Sequence, residues 1–154
     1  DSRVKVDICW EKGELYAEEN LLKTVLINLT DNAIKASEEG QTVEITGRHM
    51  ENGYYFQVRD EGIGIPEEEL HKITEAFYMV DKSRSRAHNG AGLGLALCTA
   101  ILELHHSSLK IESTQGFGSC MSFLIPEELF FGLCGISCGH SCGSVGTGMD
   151  RGQK

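Results

Sequence analysis

This sequence predicts an α+β fold: a two-layer α/β sandwich in which a mixed, mostly antiparallel sheet carries its helices on one face. Three observations lead there. Apolar residues recur with period two in several short segments and with helical spacing in two longer ones. The segments follow one another as strand, helix, hairpin, short helix, loop, helix, hairpin. A sheet and a few helices bury their apolar sides most simply against each other, as two layers.

Taken in order, Val4, Val6, Ile8 and Trp10 alternate with mostly polar neighbours and mark a first strand. Gly13 turns the chain. Residues Glu18 to Ser37 read as a helix, because Leu22, Val25, Leu26, Leu29, Ala33 and Ala36 fall on one face, and Gly40 stops it. Thr42 to Met50 is a strand, Glu51-Asn52-Gly53 a hairpin turn of the Asn-Gly kind, and Tyr54 to Arg59 the returning strand. Pro66 opens a short acidic helix to Leu70, with proline at its first position and carboxylates in its first turn. Tyr78 to Asn89 is polar and aperiodic, which predicts a loop. Leu93 to His105 returns to helical spacing. Leu109 to Thr114 and Ser119 to Ile125 are two further strands joined by Gln115-Gly116-Phe117-Gly118, and Pro126 closes the domain.

At 154 residues the chain predicts one domain, residues 1–126, followed by a separate tail, residues 127–154, that is rich in glycine and carries Cys134, Cys138 and Cys142. That length buries a core without needing disulfides or a metal. A net charge of −9 argues against a general nucleic-acid or anionic-membrane binder, although Lys82, Arg84 and Arg86 form a local basic patch. No apolar run is long enough to span a bilayer, and the first residues are not a signal peptide. The missing initiator Met leads us to expect a piece of a longer protein. Cys9, Cys98 and Cys120 lie in apolar stretches and are expected to be buried, reduced thiols, which points to the cytoplasm.

Three separated motifs carry the chemistry. In Asn28-Leu29-Thr30-Asp31-Asn32-Ala33-Ile34-Lys35, the side chains of Asn28, Asn32 and Lys35 share one helical face. An asparagine oxygen with phosphate oxygens and waters suffices for Mg²⁺, so Asn32 can be a metal ligand, and Lys35 can meet a phosphate. A solvated helix face is the plainer alternative. In Asp60-Glu61-Gly62-Ile63-Gly64-Ile65-Pro66, a carboxylate at a strand end can accept a hydrogen bond from an exocyclic amine such as adenine's. The glycines allow close backbone approach, and an ordinary turn is the alternative. In Gly90-Ala91-Gly92-Leu93-Gly94-Leu95, glycines run into a helix start, whose exposed N–H groups bind phosphate well; a flexible loop is the alternative. This is neither a dinucleotide fingerprint nor a P-loop. The cations of Asp81 to Arg86 can close over a polyphosphate, or simply be solvated.

Together, in this order, the motifs resemble the ATP-binding catalytic domain of bacterial sensor histidine kinases, in the wider family shared with DNA gyrase, the heat-shock chaperone and mismatch-repair ATPases. Asn28 to Lys35 resembles that family's N box, Asp60 to Gly64 its G1 box, Phe77-Tyr78 its F box and Gly90 to Leu95 its G2 box. The stretch from Gly116 to Pro126 resembles its last hairpin and strand. The resemblance implies a sheet backed by three helices, with residues 78–91 as a mobile ATP lid. It implies Mg²⁺ on Asn32, phosphate on Lys35, polar contacts from Asn28 and adenine on Asp60 with Gly62, Gly64 and Ile65 nearby. Phe77, Tyr78 and Leu93 would border the nucleotide, and Gly90, Gly92 and Gly94 would hold phosphate. ATP or ADP and Mg²⁺ are the implied cofactors. A histidine-bearing dimerisation domain and a response regulator are the implied partners, with no nucleic acid. The full-length protein would be a membrane-anchored sensor, this portion being cytoplasmic and not inserted in the membrane.

Two departures from the family pattern matter. Met79 stands where many relatives carry an arginine for the γ-phosphate, which passes that task to Lys82, Arg84 or Arg86. Asn89-Gly90 replaces paired glycines, which asparagine's ready entry to positive φ tolerates. None of the six histidines lies in an acceptor-type helical segment: His49 reads as strand, His71, His105 and His106 as helical, His88 as loop and His140 as tail. The chain is therefore expected to bind ATP without phosphorylating itself. Three other readings stay open here. A gyrase-like ATPase would need a glutamate where Asn28 stands. The others are an anti-sigma-type serine kinase and a non-catalytic nucleotide-binding interaction module.

Overall fold

A computed structural model describes residues 3–76, 78 and 93–127. The lid and the G2 glycines Gly90 and Gly92, the F-box residue Phe77, Met79, Lys82, Arg84, Arg86, His88 and the cysteine-bearing tail lie outside them.

Among the described residues five strands form one sheet in the order β1-β2-β3-β5-β4. They are β1 (Lys5–Trp10), β2 (Thr42–Met50), β3 (Gly53–Asp60), β4 (Lys110–Thr114) and β5 (Gly118–Pro126). β1 runs parallel to β2 because the crossing helix α1 (Glu19–Ala36) returns the chain to the same end before β2 begins. Tight turns make β2–β3 and β4–β5 antiparallel hairpins, and β5 also pairs antiparallel with β3 across the sheet. The sheet is therefore mixed and mostly antiparallel, as the sequence predicts. The predicted helix at Pro66–Leu70 is a single 3₁₀ turn, Glu67–Glu69, with Pro66 before it in an extended conformation. Three acidic residues and one leucine give that turn no apolar face with which to grow into an α-helix. The last helix, α2, runs Gly94–Leu104. His105 caps its end and His106 takes a positive φ of 55°, so neither is helical, and His71 lies in a turn.

The core lies between the sheet and the two α-helices found among the described residues. From α1 it takes Val25, Leu29 and Ala33, from α2 Cys98, Ile101 and Leu102, and from the strands Val43, Ile45, Phe56, Val58, Phe123 and Ile125. Phe56 stacks on Phe123 at 5.0 Å and meets Tyr54 at 4.9 Å, which ties the β-strands' helix-facing side together.

The two helices run antiparallel, and three contacts fix them. At one end, the Glu18 backbone N–H donates to His105 Nε2 (3.1 Å), while His105 Nδ1 donates to the Ile101 carbonyl (2.8 Å). Midway, Cys98 Sγ lies 3.7 Å from the Val25 carbonyl. At the other end Gly94 abuts Asn28 and Asn32. The Glu18 side chain also caps α1 by accepting from the Leu21 N–H (2.7 Å).

The cysteines divide. Cys98 is buried, and burial pushes its thiol up to about 11, which makes it inert. Cys120 is half-buried, and burial raises its thiol too. Cys9 is exposed, against expectation. It pairs with Thr46 and so faces away from the helices, opposite to Ile8, which pairs with core Ile45. On the helix side, β1 lies at the sheet edge while α1 packs over β2, β3 and β5. Ile8 and Trp10 accordingly stay 59% and 48% exposed, although they alternate as a half-buried strand would. Trp10 instead lies across Gly47, where a Cβ would sit 2.1 Å from its ring.

Leu29 is at the centre of this packing and Ile27, on the opposite side of α1, is 67% exposed. Leu29→Ala should lower unfolding free energy by about 3 kcal/mol in urea titrations. Ile27→Ala should change it by less than about 0.5 kcal/mol. Similar costs for the two would contradict this placement of the core.

Candidate nucleotide-binding site

At one end of the sandwich, α1, the end of β3, the start of α2 and the β4–β5 hairpin meet. The polar stripe predicted on α1 is real, and it faces α2. Asn28 and Asn32 are half-buried, and a Cβ at Gly94 would lie 3.1 Å from Asn28 Oδ1 and 3.9 Å from Asn32 Nδ2. Asn28 Nδ2 donates to the Thr24 carbonyl (2.8 Å), which leaves its oxygen directed at α2. Lys35 is exposed and paired with Asp31 at 2.7 Å. Such a surface pair is worth little, so the lysine can exchange it for another anion.

Leu93 precedes α2 without a side-chain cap, and the helix's first turn holds no acidic residue. Among the described residues no side chain caps its first N–H groups, which lie beside two asparagines, and a helix start of this kind attracts anions. Ile65 is half-buried against the core, Leu93 is exposed, and Tyr78 is half-buried with its N–H on the Glu75 carbonyl (3.2 Å).

Asp60 ends β3 and is only 6% exposed. Its Oδ1 accepts from the Gly62 N–H (2.9 Å), and the Ser119 backbone also hydrogen bonds to it. Burial still wins over these two donors and raises its carboxyl above the ordinary 3.8. No group of three or more His, Cys, Asp or Glu side chains able to hold a metal occurs among the described residues. A cation here would rest on amide oxygens and on the ligand's own oxygens.

The glycines of the Asp60 loop have a use that the sequence does not reveal. A Cβ on Gly62 would sit 2.2 Å from the Ala36 carbonyl at the end of α1. One on Gly64 (φ 65°) would sit 2.1 Å from the Thr114 carbonyl. The missing side chains thus let the loop close on protein main chain on both sides. Neighbouring bonds hold it there: Ile63 N–H to Ala36 O (3.1 Å) and Gly116 N–H to Ile63 O (2.7 Å).

Sequence reasoning missed Ser113 and Ser119. Ser113 Oγ accepts from the Ile65 N–H (2.8 Å), donates to the Gly118 carbonyl (3.0 Å) and lies 2.8 Å from Ser119 Oγ. Both serines come from the far end of the chain, and only the pairing of β5 with β3 and β4 brings them beside Asp60. The one signal available was the polar pair itself, helix-side in strands that are otherwise apolar there.

Comparison with known proteins places this architecture. Residues 17–129 match the family described as histidine kinase-, DNA gyrase B- and HSP90-like ATPases, and the chain belongs to that family. It is 42% identical over 114 residues to the phosphate regulon sensor protein PhoR of Haemophilus influenzae, covering 74% of this chain and 27% of that protein. The solved catalytic domain of the histidine kinase ThkA, in a nucleotide-free form, superposes with a TM-score of 0.68 at 30% identity, covering 81% of this chain and 80% of that one. Full-length ShkA in complex with AMPPNP superposes with a TM-score of 0.69 at 25% identity, covering 80% of this chain and 25% of that one. The chain spans less than a third of the length of the curated relatives it matches.

Gly62→Ala should cost about 2 kcal/mol or more, because main chain rather than a movable side chain occupies the space. Gly62 has no positive φ, so the contact alone sets that cost, while Gly40 (φ 84°), where a Cβ meets nothing, reports the separate and smaller cost of positive-φ strain, about 1 kcal/mol. Thermal unfolding of both alanine variants decides it, and a Gly62 variant no less stable than the Gly40 one would remove the close contact from the account.

Proposed function

We propose that this chain is the ATP-binding catalytic domain of a sensor histidine kinase. It binds Mg-ATP and donates the γ-phosphoryl group to a histidine on a separate dimerisation domain, in two-component signalling. The observation that carries the reading is the placement of Asn28 and Asn32 against the start of α2, at the end of the sandwich where a loop follows a buried carboxylate. A response regulator is the downstream partner, and the full-length protein is a membrane-anchored sensor of which this is a cytoplasmic part. Among the described residues no helix is long and apolar enough to cross a membrane.

Each group has a task set by its chemistry. The Asp60 carboxylate accepts a hydrogen bond from the exocyclic amine of adenine, in a water-poor setting where that bond discriminates well. Gly62 and Gly64 act by shaping the loop, with Ile65 and Tyr78 as apolar neighbours of the base. Leu93 and Gly94 present the helix start to phosphate, joined by Gly90, Gly92 and Phe77 from outside the described residues. Lys35 leaves Asp31 for a phosphate. Asn28 gives one Nδ2 hydrogen to the Thr24 carbonyl and keeps a second N–H and its oxygen. The oxygen, directed at the start of α2, suits a cation or its waters, so Asn28 supports Asn32, the Mg²⁺ ligand, and the remaining N–H adds a polar contact near the phosphates. This donor set fits magnesium, which takes oxygen ligands and keeps water. When bound, the ion neutralises polyphosphate charge. Lys82 and Arg84, with Arg86, cover the γ-phosphate where Met79 cannot. Phosphoryl transfer then needs positioning and charge stabilisation more than covalent chemistry from the protein.

Hydrolysis of the gyrase kind is disfavoured by the same residue. An amide, unlike a carboxylate, is not basic enough to take a proton from the attacking water. The anti-sigma-type serine kinase and the non-catalytic module share the pocket and differ in what happens to the phosphate.

Two experiments test this. Incubated with γ-labelled ATP, the chain alone should acquire no acid-labile label, whereas an added histidine-bearing dimerisation domain should acquire it. Label on a serine, or on this chain, would contradict the proposal. Calorimetric titration with ADP should show affinity falling as pH drops from neutral toward 3.8, because the base meets the ionised carboxylate and Asp60 protonates above that value. Fold stability moves the other way. With a raised folded value, this group's contribution is fully present below the unfolded value and is lost as pH rises through the folded one. Asp60→Asn should lower ADP affinity roughly tenfold or more and flatten the pH dependence.

A further inference from the structure

Base recognition through Asp60 requires the loop after it to stay in one place. The 61–65 segment has no secondary structure of its own, and its anchors come from outside. α1 supplies the Ala36 carbonyl, and the β4–β5 hairpin supplies the rest. At the centre of the hairpin's share is one hydroxyl. Ser113 has a single proton, and it goes to the Gly118 carbonyl (3.0 Å). Ser113 Oγ is then the acceptor for both the Ile65 N–H (2.8 Å) and the Ser119 hydroxyl (2.8 Å). Ser119 in turn hydrogen bonds through its backbone to the Asp60 carboxylate. Ser113 therefore grips the loop on one side of Asp60 and the strand on the other.

We propose that Ser113 is a positioning residue for base selectivity, its hydroxyl locking the 61–65 loop and the start of β5 around Asp60 so that the carboxylate meets a purine carrying a 6-amino donor. This rests on the nucleotide reading above and extends it to a residue outside the four sequence boxes. Ser113 does not touch the base. Without its hydroxyl, the Ile65 N–H and the Gly118 carbonyl lose their partner, the loop relaxes, and Asp60 loses its fixed angle. Packing alone would hold the fold but not that angle. The bond to Gly64's neighbour matters most, because Gly64 itself leaves no room to shift toward Thr114.

The test compares two diphosphates that differ at the 6-position of the purine. ADP has an amine donor there, and inosine diphosphate has a carbonyl acceptor. Calorimetry on the full chain gives both affinities, and thermal unfolding is followed in parallel. Wild type should prefer ADP. Ser113→Ala should weaken ADP roughly tenfold while changing inosine diphosphate far less, so that the preference shrinks. Ser113→Thr, which keeps the hydroxyl, should restore both affinity and preference. If Ser113→Ala does not fold, Ser113→Cys, with a weaker acceptor of similar shape, should show the same loss of preference to a smaller degree. A lower melting temperature with the preference intact would mean that Ser113 is merely structural, and would overturn the proposal while leaving the nucleotide site standing. Wild type that binds neither diphosphate would overturn the site itself and this proposal with it.

Discussion

The close approach of main chain to main chain at Gly62 is the constraint on which the site depends. Where a side chain would begin, the Ala36 carbonyl already sits. That contact brings the end of the asparagine-bearing helix to the loop that follows the buried carboxylate. Gly64 repeats the device against Thr114, and Gly118 brings the Asp60 carbonyl into the space where its own Cβ would lie. Three elements from separate parts of the sequence are thus locked together without large side chains between them. Water and a ligand can then reach the polar faces that remain.

The other half of the site depends on how α2 lies along α1. Buried Val25, Leu29, Cys98, Ile101 and Leu102 supply the apolar contact, and the His105 ring fixes the far end by receiving one backbone N–H and donating to one carbonyl. The near end then has only one position available, with Gly94 against Asn28 and Asn32. An uncapped helix start is ordinarily an anion site of modest strength. Placed beside two half-buried amides, it is where the proposed function puts phosphate and a hydrated cation. Function here is an outcome of core packing several residues away.

Much of this was legible in the sequence. The strands, both long helices and the order of the motifs followed from apolar period and turn residues, and Asn28, Asn32 and Asp60 fall where their spacing placed them. What failed did so for identifiable reasons. Alternation says which way Ile8 and Trp10 point, but not whether a helix reaches far enough to cover them, and Cys9, on the other face of the same edge strand, is exposed because nothing among the described residues packs there. Proline followed by acidic residues marks a helix start, but not whether there is an apolar face to sustain it. Glycines in the Asp60 loop read as space for a ligand, while their Cβ positions are taken by protein. The spacing that puts Lys35 on the asparagine face also puts Asp31 one turn before it, and the two pair on the helix surface. Ser113 and Ser119 matter only because of strand order, which no local pattern encodes.

The account's central claim is that α1, the Asp60 loop and the start of α2 form one site that a single Mg-nucleotide engages together. Backbone amide shifts recorded during a Mg-ADP titration test it most directly. The account predicts that residues 28–36, 60–65 and 94–97 respond with one shared affinity, while Lys5–Trp10 of the exposed edge strand do not. Shifts confined to one of the three segments, or with different affinities among them, would contradict it.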